Sequence, residues 1–411
     1  MNAIILAIGD ELISGQHVDT NSAYLSDRLA TVGIRALAHW TIGDELSAIE
    51  DAFKRAAAAA ELVISTGGLG PTGDDLTRQG LSDAMQRPLA LDADGLAMME
   101  AFFADRGWTV SEANRVQAML PEGSQALANI HGTAPGILAK LGEATVVCMP
   151  GVPHEMKAMF EQHVLSRFGS QSGAIVRRAL KTFGMAESEV GVRLADLMTA
   201  RGDTRVGTIV KAGVITINMQ TRADSADQAS RVLDDIAADV RRRLGVAVFG
   251  EDDATLGSVV GELLKPARQT LATVESCTGG LIGKMLTDTP GASDYYVGGV
   301  IAYSNRVKED MLDVPAELLR EFGAVSQKVA QAMAEGCRKL FASNWAISTT
   351  GIAGPTGGTE EKPVGLVHFA LAGPSGTSTT YQHIAGTREI VRIRAARVAL
   401  NMLRLALLDA Q

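Results

Sequence analysis

Residues 270–289 read TLATVESCTGGLIGKMLTDT and join a predicted strand to a predicted helix. TLATV has the apolar and β-branched content of a short buried strand, and GLIGKMLTDT carries apolar residues at helical spacing. Ser276 therefore falls at the predicted helix N-terminus, where free amides and the helix dipole can hold an anion or a developing oxyanion. One interpretation is a nucleophilic hydroxyl. The other is helix capping, for which serine is an ordinary choice.

A second strand-to-helix segment, YVGGVIAYSNRVKEDML, follows at residues 296–312. The pattern predicts a buried strand over 296–303, with Tyr303 at its end and Lys308 about one turn into the helix. A lysine desolvated in a pocket has a lowered pKa and can serve as a base, with a tyrosine hydroxyl relaying the proton. The alternative is a solvated lysine and a tyrosine that covers the core.

A third segment, AISTTGIAGPTGGTEEKPVGLVHFAL, spans residues 346–371. It predicts a strand that ends at Thr350, a glycine-rich loop, and a second strand from Leu366. Glycine lets backbone amides approach a phosphate or carbonyl oxygen closely, although such a loop can also be only a long hairpin connection. Open α/β sheets bind ligands at the carboxyl ends of their strands, so Ser276, Tyr303 and Thr350 are expected at one site.

These motifs, with GAVS at 323–326 and GTREIVR at 386–392, resemble the C-terminal domain of the competence/damage-inducible CinA family. That family includes nicotinamide mononucleotide (NMN) deamidases. The resemblance implies cofactor-free hydrolysis of the NMN amide to nicotinic acid mononucleotide and ammonia, with Ser276 as nucleophile, Lys308 and Tyr303 as its activating partners, and Thr350 in the pocket. Val274 and Thr356 depart from the family's usual residues, and neither removes a reactive group. The substrate-binding residues expected are Gly279, Gly280, Gly351, Gly354, Arg388 and Arg392.

The two arginines lie at i and i+4 on a helix predicted to begin at Thr387, and so share one face. A guanidinium suits a phosphate better than an ammonium does, although arginines on a surface helix are more often solvated. The resemblance of GTREIVR favours Arg388 for the substrate phosphate.

The first 170 residues form a separate α/β pattern. Strand candidates AIILAIG, RALAHWTI, ELVISTGG and ATVVCMPG alternate with helices near 21–32, 45–60, 75–86, 92–106 and 153–168. This alternation predicts a parallel sheet covered on both faces.

The loop TGGLGPTGDDLT, residues 66–77, contains a GxGxxG spacing. A nicotinamide-dinucleotide fingerprint follows the first strand, whereas this loop follows the third candidate and is interrupted by Pro71, so that reading is rejected. The loop offers amides for phosphate, and Asp74 and Asp75 offer carboxylates for a divalent ion. The alternative is a Gly/Pro turn whose aspartates cap the next helix.

Together with GDELISGQHVDTN, NIHGTAPG and MPGVPHEM, this loop resembles the family's N-terminal domain, which is related to molybdopterin-binding domains. Some relatives hydrolyse ADP-ribose to AMP and ribose 5-phosphate with a divalent metal of unspecified identity. The resemblance implies a nucleotide site formed by Asp19, Asn21, Gly68, Gly70 and Gly136, with Asp10, Asp74 and Asp75 as candidate metal ligands.

Residues 171–252 resemble the family's small KH-type α+β module. RRALKTFG, GVITINMQTRA and GVAVFG predict strands, and helices are expected around 187–200 and 225–243. A nucleic-acid-binding KH domain needs a GxxG loop, which this stretch lacks. We therefore interpret the module as a spacer or dimerisation element.

Composition restricts the function classes. The formal charge of −9 and the lack of a long basic run argue against a nucleic-acid partner. The three cysteines are far apart, so neither a disulfide framework nor a metal motif is expected, and no HExxH motif supports zinc. Cys277 is an alternative nucleophile but has no nearby histidine in sequence. No signal peptide or membrane span is predicted, which favours a cytoplasmic protein.

The sequence thus predicts an α/β protein with two three-layer parallel or mixed-sheet domains, residues 1–170 and 253–411, joined by a small α+β module at 171–252. The function expected is NMN deamidation by a homodimer acting on small-molecule nucleotides, with an ADP-ribose pyrophosphatase in the N-terminal domain. The alternative is an N-terminal domain that only binds a nucleotide or molybdopterin, on a scaffold for competence or DNA-damage responses.

Overall fold

The computed structural model describes residues 1–168, 173–199 and 202–410. The chain packs into two compact units, Met1–Val176 with Gln220–Leu233, and Arg177–Met219 with Asp234–Gln411. The predicted domain boundary at 170/171 and the predicted helix end at 200 lie outside the described residues. No helix in the described ranges has the length and apolar character needed to cross a bilayer.

The N-terminal unit alternates strands and helices as predicted. Its elements are β1 (Asn2–Ile8), α1 (Asp10–Ile13), α2 (Asn21–Thr31), β2 (Arg35–Ile42), α3 (Leu46–Ala59), β3 (Leu62–Thr66), α4 (Thr77–Met85), β4 (Leu89–Leu91), α5 (Ala93–Ala104), α6 (Glu112–Arg115), β5 (Met119–Pro121), β6 (Gln125–Leu127), β7 (Gly136–Leu141), β8 (Ala144–Met149), α7 (Pro153–Met159) and α8 (Ser166–Phe168). A π-helical turn, Phe160–Leu165, joins the last two helices.

The main N-terminal sheet has the strand order β2-β1-β3-β8-β7-β6. Its first four strands are parallel, but β7 pairs antiparallel with β8, and β6 antiparallel with β7. The parallel arrangement predicted for β1, β2, β3 and β8 is confirmed, and β7 and β6 make the whole sheet mixed. The reason is the short turn at Gly142, with φ +60°, since a two-residue connection can only return the chain antiparallel.

Helices cover both faces of this sheet, as predicted. Alternate residues of β1 enter opposite cores: Ile4 and Leu6 pack in the same cluster as Phe53 of α3. Ile5 packs in the cluster that contains Leu29 of α2. The period-two alternation of a strand thus builds the middle of three layers.

The middle stretch forms a four-stranded sheet in the order β10-β11-β9-β12. Its elements are β9 (Ala174–Thr182), α9 (Glu187–Met198), β10 (Arg205–Lys211), β11 (Val214–Ala223), α10 (Ala226–Leu244) and β12 (Val248–Glu251). The sequence did not predict β10. This strand is at the sheet edge and largely exposed, so it lacks the apolar run that reveals a buried strand.

The C-terminal part builds a second mixed sheet in the order β14-β13-β15-β16-β17. Its elements are α11 (Leu256–Leu264), β13 (Leu271–Glu275), α12 (Leu281–Thr287), β14 (Tyr296–Ile301), α13 (Asn305–Leu312), α14 (Ala316–Phe322), α15 (Gln327–Phe341), β15 (Trp345–Gly351), β16 (Leu366–Gly373), β17 (Gly376–His383) and α16 (Arg388–Asp409). The predicted fold class, mixed-sheet α/β, is confirmed.

Three neighbouring strands of this sheet are parallel, because β13 pairs in parallel with both β14 and β15. Their carboxyl ends meet at one sheet edge, where the polar motifs begin. One face packs Leu271 with Leu264 of α11 and Ala399 of α16. The other packs Val274 with Met333 of α15, so this sheet is also the middle of three layers.

Candidate active site

Ser276 and Lys308 meet at the edge formed by β13 and β14. Ser276 directly follows β13, and its amide donates to the carbonyl oxygen of Thr349 on β15 at 3.0 Å. Lys308 lies in the first half of α13, and its Nζ is 3.4 Å from Ser276 Oγ. The same Nζ donates to the carbonyl oxygen of Ala302 at 2.7 Å. The hydroxyl and the amine therefore share one buried corner.

Lys308 is only 1% exposed, a rare environment for a lysine. Burial lowers the pKa of its amine, because the ammonium form loses hydration. The Cys277 side chain has a weaker effect in the opposite direction. A larger fraction of the amine is therefore neutral, the state that can take a proton from a hydroxyl.

The helix after Ser276 begins later than predicted. Helix α12 starts at Leu281, with Gly280 as N-cap, and its first amides do not face a free anion site. Glu275, only 2% exposed, accepts from the amides of Gly280 at 2.9 Å, Ile282 at 3.1 Å and Gly283 at 2.9 Å. The predicted anion site at this helix end is wrong, because the chain's own carboxylate already occupies it.

The turn between Ser276 and α12 is fastened to β15. The Thr278 and Thr349 hydroxyls are 2.7 Å apart, and both residues are buried. Gly279 and Gly280 have φ values of +59° and +93°, which glycine adopts without strain. The two glycines therefore shape the turn. The Gly280 amide, predicted to bind substrate, is held by Glu275.

The alternative nucleophile Cys277 is poorly suited to that role. It is 6% exposed, and burial raises the pKa of its thiol to about 12. Because the thiolate is the reactive form, this thiol is essentially unreactive at neutral pH.

Tyr303 and Thr350 lie near the sheet edge, but their hydroxyl groups form hydrogen bonds with partners other than Ser276 and Lys308. Tyr303 is 63% exposed, and its hydroxyl accepts from Arg388 Nη2 at 3.1 Å. Thr350 donates its hydroxyl to the carbonyl oxygen of Ala324 at 2.7 Å. The predicted proton relay from Tyr303 to Ser276 is therefore not formed. Thr350 instead fastens the loop before α15.

Both predicted phosphate-binding arginines are at the same sheet edge. Arg388, the first residue of α16, also donates from Nη1 to the carbonyl oxygen of Gly354 at 2.8 Å. Arg392 donates from Nη2 to the carbonyl oxygen of Thr278 at 2.8 Å. The two guanidinium groups thus link α16 to the glycine-rich loop and to the Ser276 turn.

The glycine-rich loop connects two antiparallel strands, β15 and β16, which is the long hairpin considered from the sequence. A Cβ at Gly351 would be 2.6 Å from the carbonyl oxygen of Leu366. A Cβ at Gly354 would be 2.5 Å from a methyl group of Val364. These glycines are therefore required by packing inside the loop, independently of any ligand.

Two adjoining cavities lie at the carboxyl ends of β1, β3 and β8 in the N-terminal unit. The larger, of 430 Å³, is lined by residues that include Gly68, Gly70, Asp74 and Asp75. The smaller, of 330 Å³, is lined by residues that include Asp19 and Asn21. Since β1 and β3 are neighbours from which the chain winds in opposite directions, this is the topological switch point of the sheet, where α/β proteins bind ligands.

The structure does not gather the predicted metal ligands. Asp75 accepts from the amides of Gly70 at 2.7 Å and Thr72 at 2.9 Å, so it closes its own loop. Asp10 accepts from the amide of Asp44 at 3.0 Å. Within the described residues, no group of three or more His, Cys, Asp or Glu side chains is arranged to hold a metal ion.

Gly136 also differs from its predicted role. Gly136 and Asp10 are both predicted at the N-terminal site, but neither of these described residues lines either of the two cavities. A Cβ at Gly136 would be 2.5 Å from the terminal methyl group of Met159. This glycine therefore allows β7 to pack against α7.

Acidic residues that the sequence analysis missed line the larger cavity: Glu11, Asp44 and Glu155. The pKa of Asp44 is raised, first by burial and then by the nearby carboxylates of Asp10, Glu11 and Asp74. Asn21, 8% exposed, donates to the Thr66 hydroxyl at 3.0 Å. Its Oδ1 has no partner in the described part of the chain.

Relatives that match over nearly the whole length of the chain identify its family. A putative competence-damage inducible protein from Symbiobacterium thermophilum is 41% identical over 423 residues, covering 99% of each chain. A CinA-like protein from Geobacter sulfurreducens is 41% identical over 413 residues, covering 100% of each chain. The chain belongs to the CinA family. Three family models match it in order: a probable molybdopterin binding domain at 4–169, a damage-inducible protein CinA KH domain at 177–250, and a CinA C-terminal domain at 253–407.

Solved structures from the CinA family cover single parts of the chain. The CinA protein of Thermoplasma acidophilum is 32% identical, with a TM-score of 0.38, and covers 41% of this chain and 98% of its own. The competence/damage inducible protein CihA of Agrobacterium tumefaciens is 41% identical, with a TM-score of 0.36, and covers 37% of this chain and 93% of its own.

Proposed function

We propose that this protein hydrolyses the amide of NMN to nicotinic acid mononucleotide and ammonia, with Ser276 as nucleophile and Lys308 as its base. The observation that carries the proposal is the buried contact of 3.4 Å between Lys308 Nζ and Ser276 Oγ. An amine deprived of hydration is a credible base at neutral pH, and hydrogen bonds in catalytic pairs commonly shorten when substrate binds.

The proposed reaction has two halves. Lys308 takes the Ser276 proton as Oγ attacks the amide carbon, and the resulting ammonium returns a proton to the departing nitrogen, which leaves as ammonia. A water then attacks the acyl-serine and gives one proton to Lys308. As the ester bond breaks, Lys308 returns this proton to Ser276 Oγ, which releases the carboxylic acid and restores the serine hydroxyl. The carbonyl oxygen of Ala302 orients the amine, because it accepts from Lys308 Nζ at 2.7 Å.

The surroundings support a phosphorylated substrate. Arg388 and Arg392 bring two guanidinium groups to the sheet edge that holds Ser276, and guanidinium is well suited to a phosphate. The Gly279 amide is not among the three that Glu275 holds, and the Thr278 amide faces the Cys277 sulfur, so we assign the oxyanion to the Gly279 amide.

A direct test compares ammonia release from NMN by wild type, Ser276→Ala and a control, Ser293→Ala, which replaces an exposed serine after α12. Loss of the nucleophile is expected to lower kcat by about a thousandfold or more. The control is expected to retain wild-type turnover. Equal ammonia release by Ser276→Ala and wild type, or none by wild type, would overturn the proposal.

A second activity, metal-dependent hydrolysis of ADP-ribose, is proposed for the N-terminal cavities. The supporting observation is charge: among the described residues, the larger cavity is lined by five carboxylates and by no lysine or arginine. These carboxylates belong to Glu11, Asp44, Asp74, Asp75 and Glu155. A pyrophosphate entering such a cavity needs cations to offset the repulsion, so we infer that a divalent ion enters together with the substrate.

The competing function is nucleotide or molybdopterin binding without hydrolysis. Incubation of the protein with ADP-ribose and Mg²⁺ or Mn²⁺, followed by chromatography for AMP, separates the two. AMP that appears only with metal supports hydrolysis. Saturable binding of ADP-ribose without AMP makes the N-terminal domain a binding module.

A further inference from the structure

A third cavity, of 570 Å³, lies within the second compact unit, away from Ser276. One wall comes from the four-stranded sheet and the other from α11, α12 and α16. Its apolar lining includes Val214, Phe249, Leu256, Met285 and Ile393. The volume falls in the range of small-molecule sites, and the lining offers an apolar surface for a flat ring.

Positive charge surrounds this surface. Lys181 and Lys211 both line the cavity, and neither forms an ion pair within the described residues. The nearest partner of Lys181 is the Thr216 hydroxyl, at 3.5 Å from Nζ. Arg397 also lines the cavity, and its Nη1 donates to the carbonyl oxygens of Lys211 and Ala212, both at 2.7 Å. These two hydrogen bonds hold the β10–β11 turn against α16.

With Lys284 the lining carries four basic side chains, and the carboxylates of Asp252, Asp253 and Asp288 reduce its formal net charge to +1. Lys284 and Asp288 form an ion pair at 2.6 Å and offset each other. Asp252 accepts from the amide of Ala179 at 2.8 Å, whereas Asp253 is exposed at the rim. An ionised carboxylate accepts hydrogen bonds, so the exposed Asp253 can accept one from a sugar hydroxyl.

We propose that this cavity binds a nucleoside monophosphate. The apolar lining would hold the base, Asp253 a ribose hydroxyl, and Lys181 and Lys211 the phosphate. The N-terminus of α11 adds positive potential, because Leu256 and Gly257 of its first turn line the same space. The proposal is separate from NMN hydrolysis, because Ser276 and Lys308 are not among the described residues that line this cavity.

The cavity is connected to the Ser276 turn through two helices. Leu281, which lines it, directly follows Gly280 of that turn. Ile393 directly follows Arg392, which donates to the carbonyl oxygen of Thr278. An occupant of the cavity therefore packs on α12 and α16 one residue away from groups that shape the turn.

The test places a reporter thiol inside the cavity with Thr216→Cys. The three native cysteines are buried, so a maleimide reports mainly on the new thiol. With AMP as the probe, labelling is expected to slow at least fivefold at saturation, and adenosine, which lacks the phosphate, is expected to protect at least tenfold more weakly. Unchanged labelling at 10 mM AMP would overturn the proposal.

Charge reversal provides the control for AMP that binds elsewhere on the chain. Adding Lys181→Glu and Lys211→Glu to the reporter protein is expected to raise the AMP concentration for half protection at least tenfold. The matched variant Lys339→Glu changes an exposed lysine that pairs with Asp313, away from the cavity, and is expected to leave protection unchanged. Equal protection in the double variant would show that the two lysines hold no phosphate. Because labelling needs no turnover, this result is separate from the ammonia assay.

Discussion

Replacing Glu275 by glutamine removes one of the two acceptor oxygens on which the Ser276 turn depends. The carboxylate accepts three amides, with Gly280 and Ile282 on Oε2 and Gly283 on Oε1. A glutamine amide has one acceptor oxygen. If that oxygen takes the Oε2 position, two bonds survive and the amide NH₂ faces the Gly283 N–H.

The expected loss of folding free energy follows from these three hydrogen bonds. A hydrogen bond to a charged group contributes about 1.5–3 kcal/mol, and one between neutral groups about 0.5–1.5 kcal/mol. Losing one charged bond and weakening two others by about 1 kcal/mol each gives about 3.5–5 kcal/mol in total. For a domain of this size the melting temperature should fall by about 7–20 °C, since 1 kcal/mol corresponds to about 2–4 °C.

Differential scanning calorimetry of Glu275→Gln, wild type and Glu309→Gln measures this effect. Glu309 is an exposed carboxylate on α13, so the control removes a charge without removing the three amide contacts. The ammonia assay on the same samples should show a lower kcat, because the turn that follows Ser276 loosens. If Glu275→Gln and Glu309→Gln both melt within about 1 °C of wild type, the three amides do not depend on the carboxylate and the reasoning is refuted.

Lys308→Met should lower kcat strongly and remove the acidic limb of the pH profile of kcat. Burial lowers the lysine pKa, and the wild-type rate is lost as the pH falls through that value. If the variant and wild type have the same pH profile, Lys308 is structural. The same lowered pKa predicts that wild-type stability rises with pH between the folded and unfolded pKa values, a slope that Lys308→Met should lack in urea titrations. Arg388→Lys should raise KM for NMN more than it lowers kcat, and an unchanged KM would exclude phosphate contact. Asp74→Asn should reduce metal-dependent AMP formation while NMN turnover is kept; unchanged AMP formation would remove Asp74 from that site.

The strand patterns predicted the sheet edge correctly, because hydrophobic period and strand-to-helix order are local properties. These patterns place Ser276 and Lys308 at one sheet edge, where the structure also has them. The sequence patterns did not identify Glu275 as the acceptor for the first amides of α12. The one available signal was its position, because a glutamate inside a buried strand is unusual. Its partners depend on the path of the turn after Ser276, and the backbone angles of Gly279 and Gly280 decide that path.

Orientation was harder to predict than position. Tyr303 was placed at the correct strand end, yet its hydroxyl contacts Arg388, which is 85 residues later in the chain. Asp75 was assigned to a metal, yet it closes its own loop through Gly70 and Thr72. In both residues a contact formed only in the folded chain decides which way the side chain points, and sequence spacing holds no record of it.

The surroundings of Lys308 have a consequence for the timing of the proposed reaction. The electrostatic influence that favours its ammonium form comes from Cys277, whose thiol, with a pKa of about 12, is uncharged near neutral pH. The protonated form of the Lys308 amine is therefore destabilised. Burial destabilises the ammonium that forms when Lys308 takes the Ser276 proton, which favours return of that proton to the departing nitrogen. The desolvation that makes the amine a base therefore also makes its ammonium a better acid.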